Sequence, residues 1–271
     1  MAVYAGDGGI GKKVVSSEVV FQRSKTKKTT TLTDQITFNY YQYSVSADTK
    51  VIFSPAGLLY DGANWTFLSN QTDYYTTSSN WTADGKRDFF IYADASQNRS
   101  IKGNSWYNLT RTEWMYLYKD RTSGAVVNGV TNARFVKVKL DFLSGTPNDR
   151  GLLLFPDGFT WPEAISGSQS RFTSSYVNTL KSGFFTIYSD EFTALEEAGC
   201  VLLLAPRGCR SNTGTWSRTL IDGGYTYEYG AYWTSTDHEA LQFYGNGLGM
   251  ASTYSINTSF PVRLVRNAPS E

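Results

Sequence analysis

The chain has 271 residues, 41% of them hydrophobic and 15% aromatic, which is enough to bury one large core or two modest ones. Its 25 Lys and Arg balance 24 Asp and Glu to a formal net charge of +1, so no global field draws it to nucleic acid or to an acidic membrane surface. No apolar run reaches the length of a transmembrane helix, and 19 Tyr with 24 Gly favour strands and structured loops over helical bundles.

Residues 1–44 differ from the rest, with a glycine-rich start, a β-branched run from Val14 to Phe21 and the basic, threonine-rich RSKTKKTTTLT. This stretch is too short for a core of its own and reads as a β-rich attachment or oligomerisation arm, with residues 45–271 as the domain that follows. Within it, GDGGIGKK superficially matches a phosphate loop. Lys13, however, stands where Ser or Thr should ligate magnesium, and the following VVSSEVVF prefers strand to helix. Met1 to Gly11 lacks the charged and apolar regions of a signal peptide, so the chain is expected either to act without secretion or to start after a removed leader.

Further along, Val51 to Phe53 lead into a Pro-Ala-Gly turn, and Leu58 to Tyr60 and Trp65 to Leu68 alternate with polar residues as strands do. Thr110 and Glu113 have capping-box spacing, and Trp114, Leu117 and Tyr118 supply an apolar stripe, which predicts a helix from about Arg111 to Lys119. Val136, Val138, Leu140 and Phe142 alternate with Lys137, Lys139 and Asp141, which predicts a strand with one wet face. GTPNDRG then turns the chain into a partner strand at Leu152 to Phe155. A second helix is predicted with Ser189 as its cap, Asp190 and Glu191 at its positive end, Phe192 and Leu195 inward and Gly199 just past its last turn. It feeds the strand Val201 to Leu204. Cys200 and Cys209 flank that strand, whose length holds their Cα atoms beyond the roughly 7 Å limit for a disulfide, so both read as free thiols.

The closing stretch from Tyr232 to Arg266 mixes two kinds of residue. Trp233, Leu241, Phe243, Phe260, Val262 and Leu264 read as inward-facing strand positions, and one of Leu248 and Met250 is expected to join them. The residues between are small, polar or tyrosine, a mixture that adaptable binding surfaces use: Tyr gives contact area at low entropic cost, and Ser, Gly and Asn give flexible hydrogen bonding. Catalytic chemistry finds little support. His238 is the one histidine and HEALQ ends in Gln242, which excludes a zincin; GNGLG lacks the βαβ setting of a dinucleotide site; no cofactor or metal is expected.

The succession LTRTEWMYLY, NGV, LLLFPDGFTWPE, EFTALEEAGCVLLLAPRG, YWTST and FPVRLVR resembles the C-type-lectin-like domains related to formylglycine-generating enzymes, and within them the Fibrobacter succinogenes major paralogous domain group. The resemblance covers about residues 45–266. It implies an α+β fold with two helices and twisted antiparallel sheets, the last strand pairing near the first; VKVKLDFLSGTPNDRG departs from the family's pattern and reads as an added hairpin between NGV and the LLLFPD strand. The closing stretch also resembles the variable proteins of diversity-generating retroelements, whose diversified residues lie between a YW[ST]ST-like start and a VRLVR-like end. That likeness implies exposed ligand-binding positions at Asp237, His238, Gln242, Tyr244, Asn246, Tyr254 and Ser255.

The family's enzymes use a cysteine pair for oxidation, but neither Cys200 nor Cys209 lies in the closing region, so inert thiols are expected. The EPN, QPD and WND triplets of calcium-dependent lectins are absent from the chain. The expectation is a non-enzymatic recognition protein: a phage tail or receptor-binding protein in the virion, joined to tail components by its arm and binding a cell-surface protein or glycan. By fold-level analogy it would be a homo-oligomer, a trimer, with neither nucleic-acid binding nor membrane insertion. The alternatives are a bacterial cell-surface or pilus-associated adhesin with its leader removed and, third, a formylglycine-generating-type enzyme.

Overall fold

The structure, a computed structural model, describes residues 41–75, 85–143, 149–180, 183–205, 209–210, 216–217, 219–222, 225–251, 254–255 and 258–269. The expected arm lies outside the described residues apart from residues 41–44, and these are built into the body. Tyr43 is buried and donates from its hydroxyl to Gly199 O (2.7 Å), while the Ser44 amide and hydroxyl both donate to Asp157 (2.9 and 2.5 Å).

The first part of the body is a series of short strands: β1 (Tyr43–Ser44), β2 (Lys50–Phe53), the hairpin of β3 (Leu58–Tyr60) and β4 (Trp65–Phe67), and β5 (Phe90–Ile91). A one-turn helix α1 (Tyr92–Ala95) and the hairpin of β6 (Arg99–Ile101) and β7 (Asn104–Trp106) follow. Helix α2 (Arg111–Met115) starts at the capping box that the sequence predicts: the Glu113 amide donates to Thr110 Oγ1 (3.2 Å) and the Thr110 amide to Glu113 Oε2 (2.8 Å), satisfying two end donors. It continues as a π turn over Tyr116–Asp120, and Trp114, Leu117 and Tyr118 are buried as expected.

After the small hairpin of β8 (Val126–Val127) and β9 (Val130–Thr131) come β10 (Phe135–Leu140), β11 (Arg150–Leu154) and β12 (Phe185–Ile187). Helix α3 (Ser189–Glu197) leads into β13 (Val201–Leu204). Its cap is Tyr188 rather than Ser189, because Glu191 Oε2 accepts from the Tyr188 amide (2.9 Å) and Ser189 is already helical. Gly199 ends the helix at φ +88°, with the Tyr41 ring lying where a β-carbon would sit; both features require glycine.

The remaining strands are β14 (Cys209–Arg210), β15 (Trp216–Ser217), β16 (Thr219–Asp222), β17 (Tyr225–Trp233), β18 (Ala240–Tyr244), β19 (Gly247–Ala251), β20 (Ser259–Phe260) and β21 (Val265–Asn267). The fold is α+β. Its central sheet has the order β12-β10-β11-β13, antiparallel except for the parallel pair β10–β12. A meander β16-β17-β18-β19 and the sheet β15-β14-β20-β5 lie beside it, and the last strand, β21, pairs with β2.

The central sheet is covered on both sides, and this overturns one expectation. Val136, Val138, Leu140, Leu153 and Leu202 face α3 through Phe192 and Leu195. Phe135, Leu152, Leu154 and Leu203 face α2 and the meander through Trp114, Leu117, Leu241 and Phe243. The predicted wet face of β10 is therefore interior where Lys137 sits, and Lys137 is 0% exposed. The strand also stops at Leu140; Asp141–Leu143 form a 3-10 turn, which leaves Phe142 at the surface against Phe192 (ring centroids 5.8 Å apart). The meander too is covered twice. Tyr232, Leu241, Phe243 and Leu248 face the central sheet, whereas Ala231, Trp233 and Ala240 pack with Phe260, Val262 and Leu264 on its other side. All six expected apolar brackets are buried, although Val262 and Leu264 lie just before β21 and not in a strand.

Candidate functional site

The turn between β17 and β18 carries Asp237 and His238, and every end of it is tied down. Thr234 closes it from within: its hydroxyl accepts from the Thr236 amide (3.0 Å), and the Glu239 amide donates to Thr236 O (3.2 Å). From outside, the Ser235 amide donates to Leu109 O (2.9 Å) and the Arg111 amide, at the start of α2, donates to Thr236 Oγ1 (2.9 Å). The Arg111 guanidinium pairs with Glu239 at 2.7 Å. Such a turn loses little conformational freedom when it meets a ligand.

His238 takes a left-handed backbone at φ +55°, unusual for a residue with a β-carbon. Its ring meets the Tyr92 ring edge-to-face at 5.2 Å, and its Nε2 lies 3.4 Å from Asp237 Oδ1. The Asp237 side chain is 76% exposed and that of His238 34%. Tyr92 donates from its hydroxyl to Ser235 O (2.8 Å); burial, and after it the charge of Asp237, pushes its phenol above the ordinary tyrosine range. The Tyr254 amide donates to His238 O (3.1 Å), which brings Tyr254 and the exposed Ser255 to the same end of the meander.

Three of the seven residues expected at the surface sit deeper than their polarity suggests. Gln242 is buried, because its register on β18 points it at the layer around Trp233, where Tyr254 lies over it and its Nε2 donates to the Tyr254 hydroxyl. Tyr244 is half-buried, packed on the same layer with its ring over Gly247, where a β-carbon would collide with it. Tyr254 is half-buried too, edge-on to Trp233 (6.0 Å) and Phe260 (4.7 Å). Asn246 is exposed, but it stands on the β18–β19 turn at the far end of β18 from His238. Four steps along β18 at about 3.4 Å each put roughly 14 Å between the two turns.

The structure thus gathers Asp237, His238, Gln242, Tyr254 and Ser255 at one end and leaves Tyr244 and Asn246 at the other. Sequence reasoning missed Tyr92, Arg111 and Glu239. Their role depends on contacts across more than a hundred residues of chain, and the one local hint was that Arg111 opens a capped helix.

Away from this surface, Cys200 is buried and lines a cavity of about 40 Å³ with Tyr43, Gln71, Glu196 and Arg263. Arg263 donates to Gln71 Oε1 (2.7 Å) and Pro55 O (3.2 Å), and Gln71 Nε2 passes the contact on to Glu196 Oε1 (2.9 Å). Burial pushes Arg263 down to about 10 and the Cys200 thiol well up. A space of that size suits a few waters. The side chain of Cys209 falls outside the described residues. Among the described residues no group of His, Cys, Asp and Glu is placed to hold a metal ion, and no helix is long and apolar enough to cross a membrane.

Comparison with protein-family models, with curated proteins and with solved structures finds no match for this chain.

Proposed function

We propose that the chain is a non-enzymatic recognition protein with a C-type-lectin-like body, and that it binds a cell-surface protein or glycan through Asp237, His238, Tyr254 and Ser255 with Tyr92 beside them. The observation that carries this reading is the β17–β18 turn: it holds a histidine in a left-handed conformation at an accessible position and is braced at Leu109, Arg111 and Tyr254. Backbone held in a sparsely populated region by its surroundings is a mark of ligand-contacting sites. The pairing of β21 with β2 and the capped helix α2 are consistent with the fold that the sequence resembles.

The setting we propose is a phage tail, with the first forty or so residues as the attachment arm and the body as the receptor-binding end, in a homo-oligomer. The formylglycine-generating reading is less well supported, since a thiol that burial pushes well up is a poor source of thiolate. The test is adsorption of the fluorescently labelled full chain to a panel of intact bacterial cells, with the double variant Asp237→Ala, His238→Ala alongside. The expected result is binding to a subset of strains that the double variant loses by at least tenfold while its thermal midpoint stays within a few degrees. Equal binding by both proteins would remove this surface from the proposal.

A further inference from the structure

Lys137 is the one lysine in the interior among the described residues, and its surroundings are unusual for a buried cation. Its Nζ donates to three backbone carbonyls, Leu180 O at 2.9 Å, Tyr244 O at 3.0 Å and Gly245 O at 2.9 Å. An ammonium has three N–H donors, so three acceptors satisfy it completely. Two of them lie where β18 ends and the β18–β19 turn begins, more than a hundred residues away in the chain.

No carboxylate pairs with Lys137 among the described residues. The charged groups on the strands around it are Arg150 on β11, whose guanidinium lies over the same Phe184 ring (5.5 Å, against 6.0 Å for Lys137 Nζ), Lys139 two residues along β10, and Asp149, which pairs with Arg150 at 2.8 Å and with Lys139 at 3.8 Å. A buried charge without a counter-ion is costly. A methionine or leucine would fill the same space between the sheet and the meander without that cost.

We infer that Lys137 is a positioning residue for the β18–β19 turn: its ammonium, sealed beneath the meander, holds the Tyr244 and Gly245 carbonyls inward and so sets how Tyr244 and Asn246 are presented at the surface. This rests on the reading of the closing stretch as a recognition surface, but it makes a claim about the turn that needs no ligand. Losing one proton leaves the amine two N–H donors for three carbonyls, so the turn loosens when Lys137 becomes neutral. Burial has already pushed that event down to about pH 8.

The experiment uses the full chain labelled with [1-13C]tyrosine and [15N]glycine. Tyr244–Gly245 and Tyr229–Gly230 are the chain's two Tyr–Gly pairs, so the carbonyl of Tyr244 is observed next to an internal reference. Between pH 6.5 and 9.5 the Tyr244 carbonyl shift is expected to move in a single step centred near pH 8. Lys137→Met and Lys137→Arg should both abolish the step, the first having no donor and the second no titration in this range. If Lys137→Met does not fold, the wild-type titration and Lys137→Arg decide the question. A flat wild-type profile, or a step that persists in a folded variant, overturns the inference. Because no ligand is present, failure of the cell-adsorption test leaves this result intact, and failure here leaves the β17–β18 turn unaffected.

Discussion

Gln242 on β18 donates from its side-chain amide to the hydroxyl of Tyr254, so a polar residue that looks made for the surface is roofed by an aromatic one. Tyr254 in turn rests edge-on against Trp233 and Phe260. Removing only the hydroxyl and removing the ring should therefore have separable effects. Tyr254→Phe is expected to cost about 1 kcal/mol, the worth of one part-buried hydrogen bond. Tyr254→Ala should cost more, about 2 to 3 kcal/mol, since it uncovers both Gln242 and the Trp233 layer. Urea denaturation of the two variants measures this; equal costs would show that the ring contributes no packing.

His238 occupies a conformation that glycine adopts freely. His238→Gly removes the steric penalty of the left-handed backbone but also adds freedom to the unfolded chain, and the two effects oppose each other. Stability is expected to stay within about 1 kcal/mol of wild type, while adsorption to cells falls as the ring is lost. A loss of stability well beyond that range would assign the ring contact with Tyr92 to the fold rather than to recognition.

Asp157 holds the start of the body in place. It accepts from Ser44 and pairs at 2.8 Å with Arg121, whose side chain is 0% exposed. Asp157→Asn leaves the Arg121 guanidinium buried without its counter-charge, which typically costs about 3 to 5 kcal/mol. Replacing the pair together, Arg121→Met with Asp157→Asn, should recover part of that loss. Denaturant unfolding of the wild type and the two variants provides the comparison, and a single variant no weaker than the double would contradict it.

Lys137 also makes a prediction for global stability. Its ammonium loses its proton near pH 8 in the folded chain and near 10.5 in the unfolded one. Between those values the unfolded state binds more protons, so the contribution of this group to unfolding free energy rises with pH. Relative to Lys137→Met, the wild type is expected to gain stability from pH 8 to pH 10.5, other titrating groups cancelling in the difference. Chemical denaturation at fixed ionic strength across this range checks the slope, and a flat or falling difference would refute it.

What the sequence made legible was local. The Thr110 and Glu113 capping box, the apolar stripe of Trp114, Leu117 and Tyr118, the hairpin after Leu140 and the burial of the brackets from Trp233 to Leu264 all depend on spacing over short runs of chain, and the structure has them. The second helix was legible to within one residue of its cap. Of the positions expected to be exposed, Asp237, Asn246 and Ser255 are at the surface, whereas Gln242 is covered.

The sequence by itself determined the alternation of strands such as Phe135–Leu140 and the start of the longer helices to within a residue, because capping and alternation act over a few residues of chain. It could not determine whether the second face of a strand meets water or another layer, since alternation reads the same in both cases. Only the tertiary structure decided that Lys137 lies beneath the meander, that Tyr254 covers Gln242 and that Tyr92 stands beside His238. Each of those relationships is set by layers closing over one another, and the residues that close them are distant in the chain.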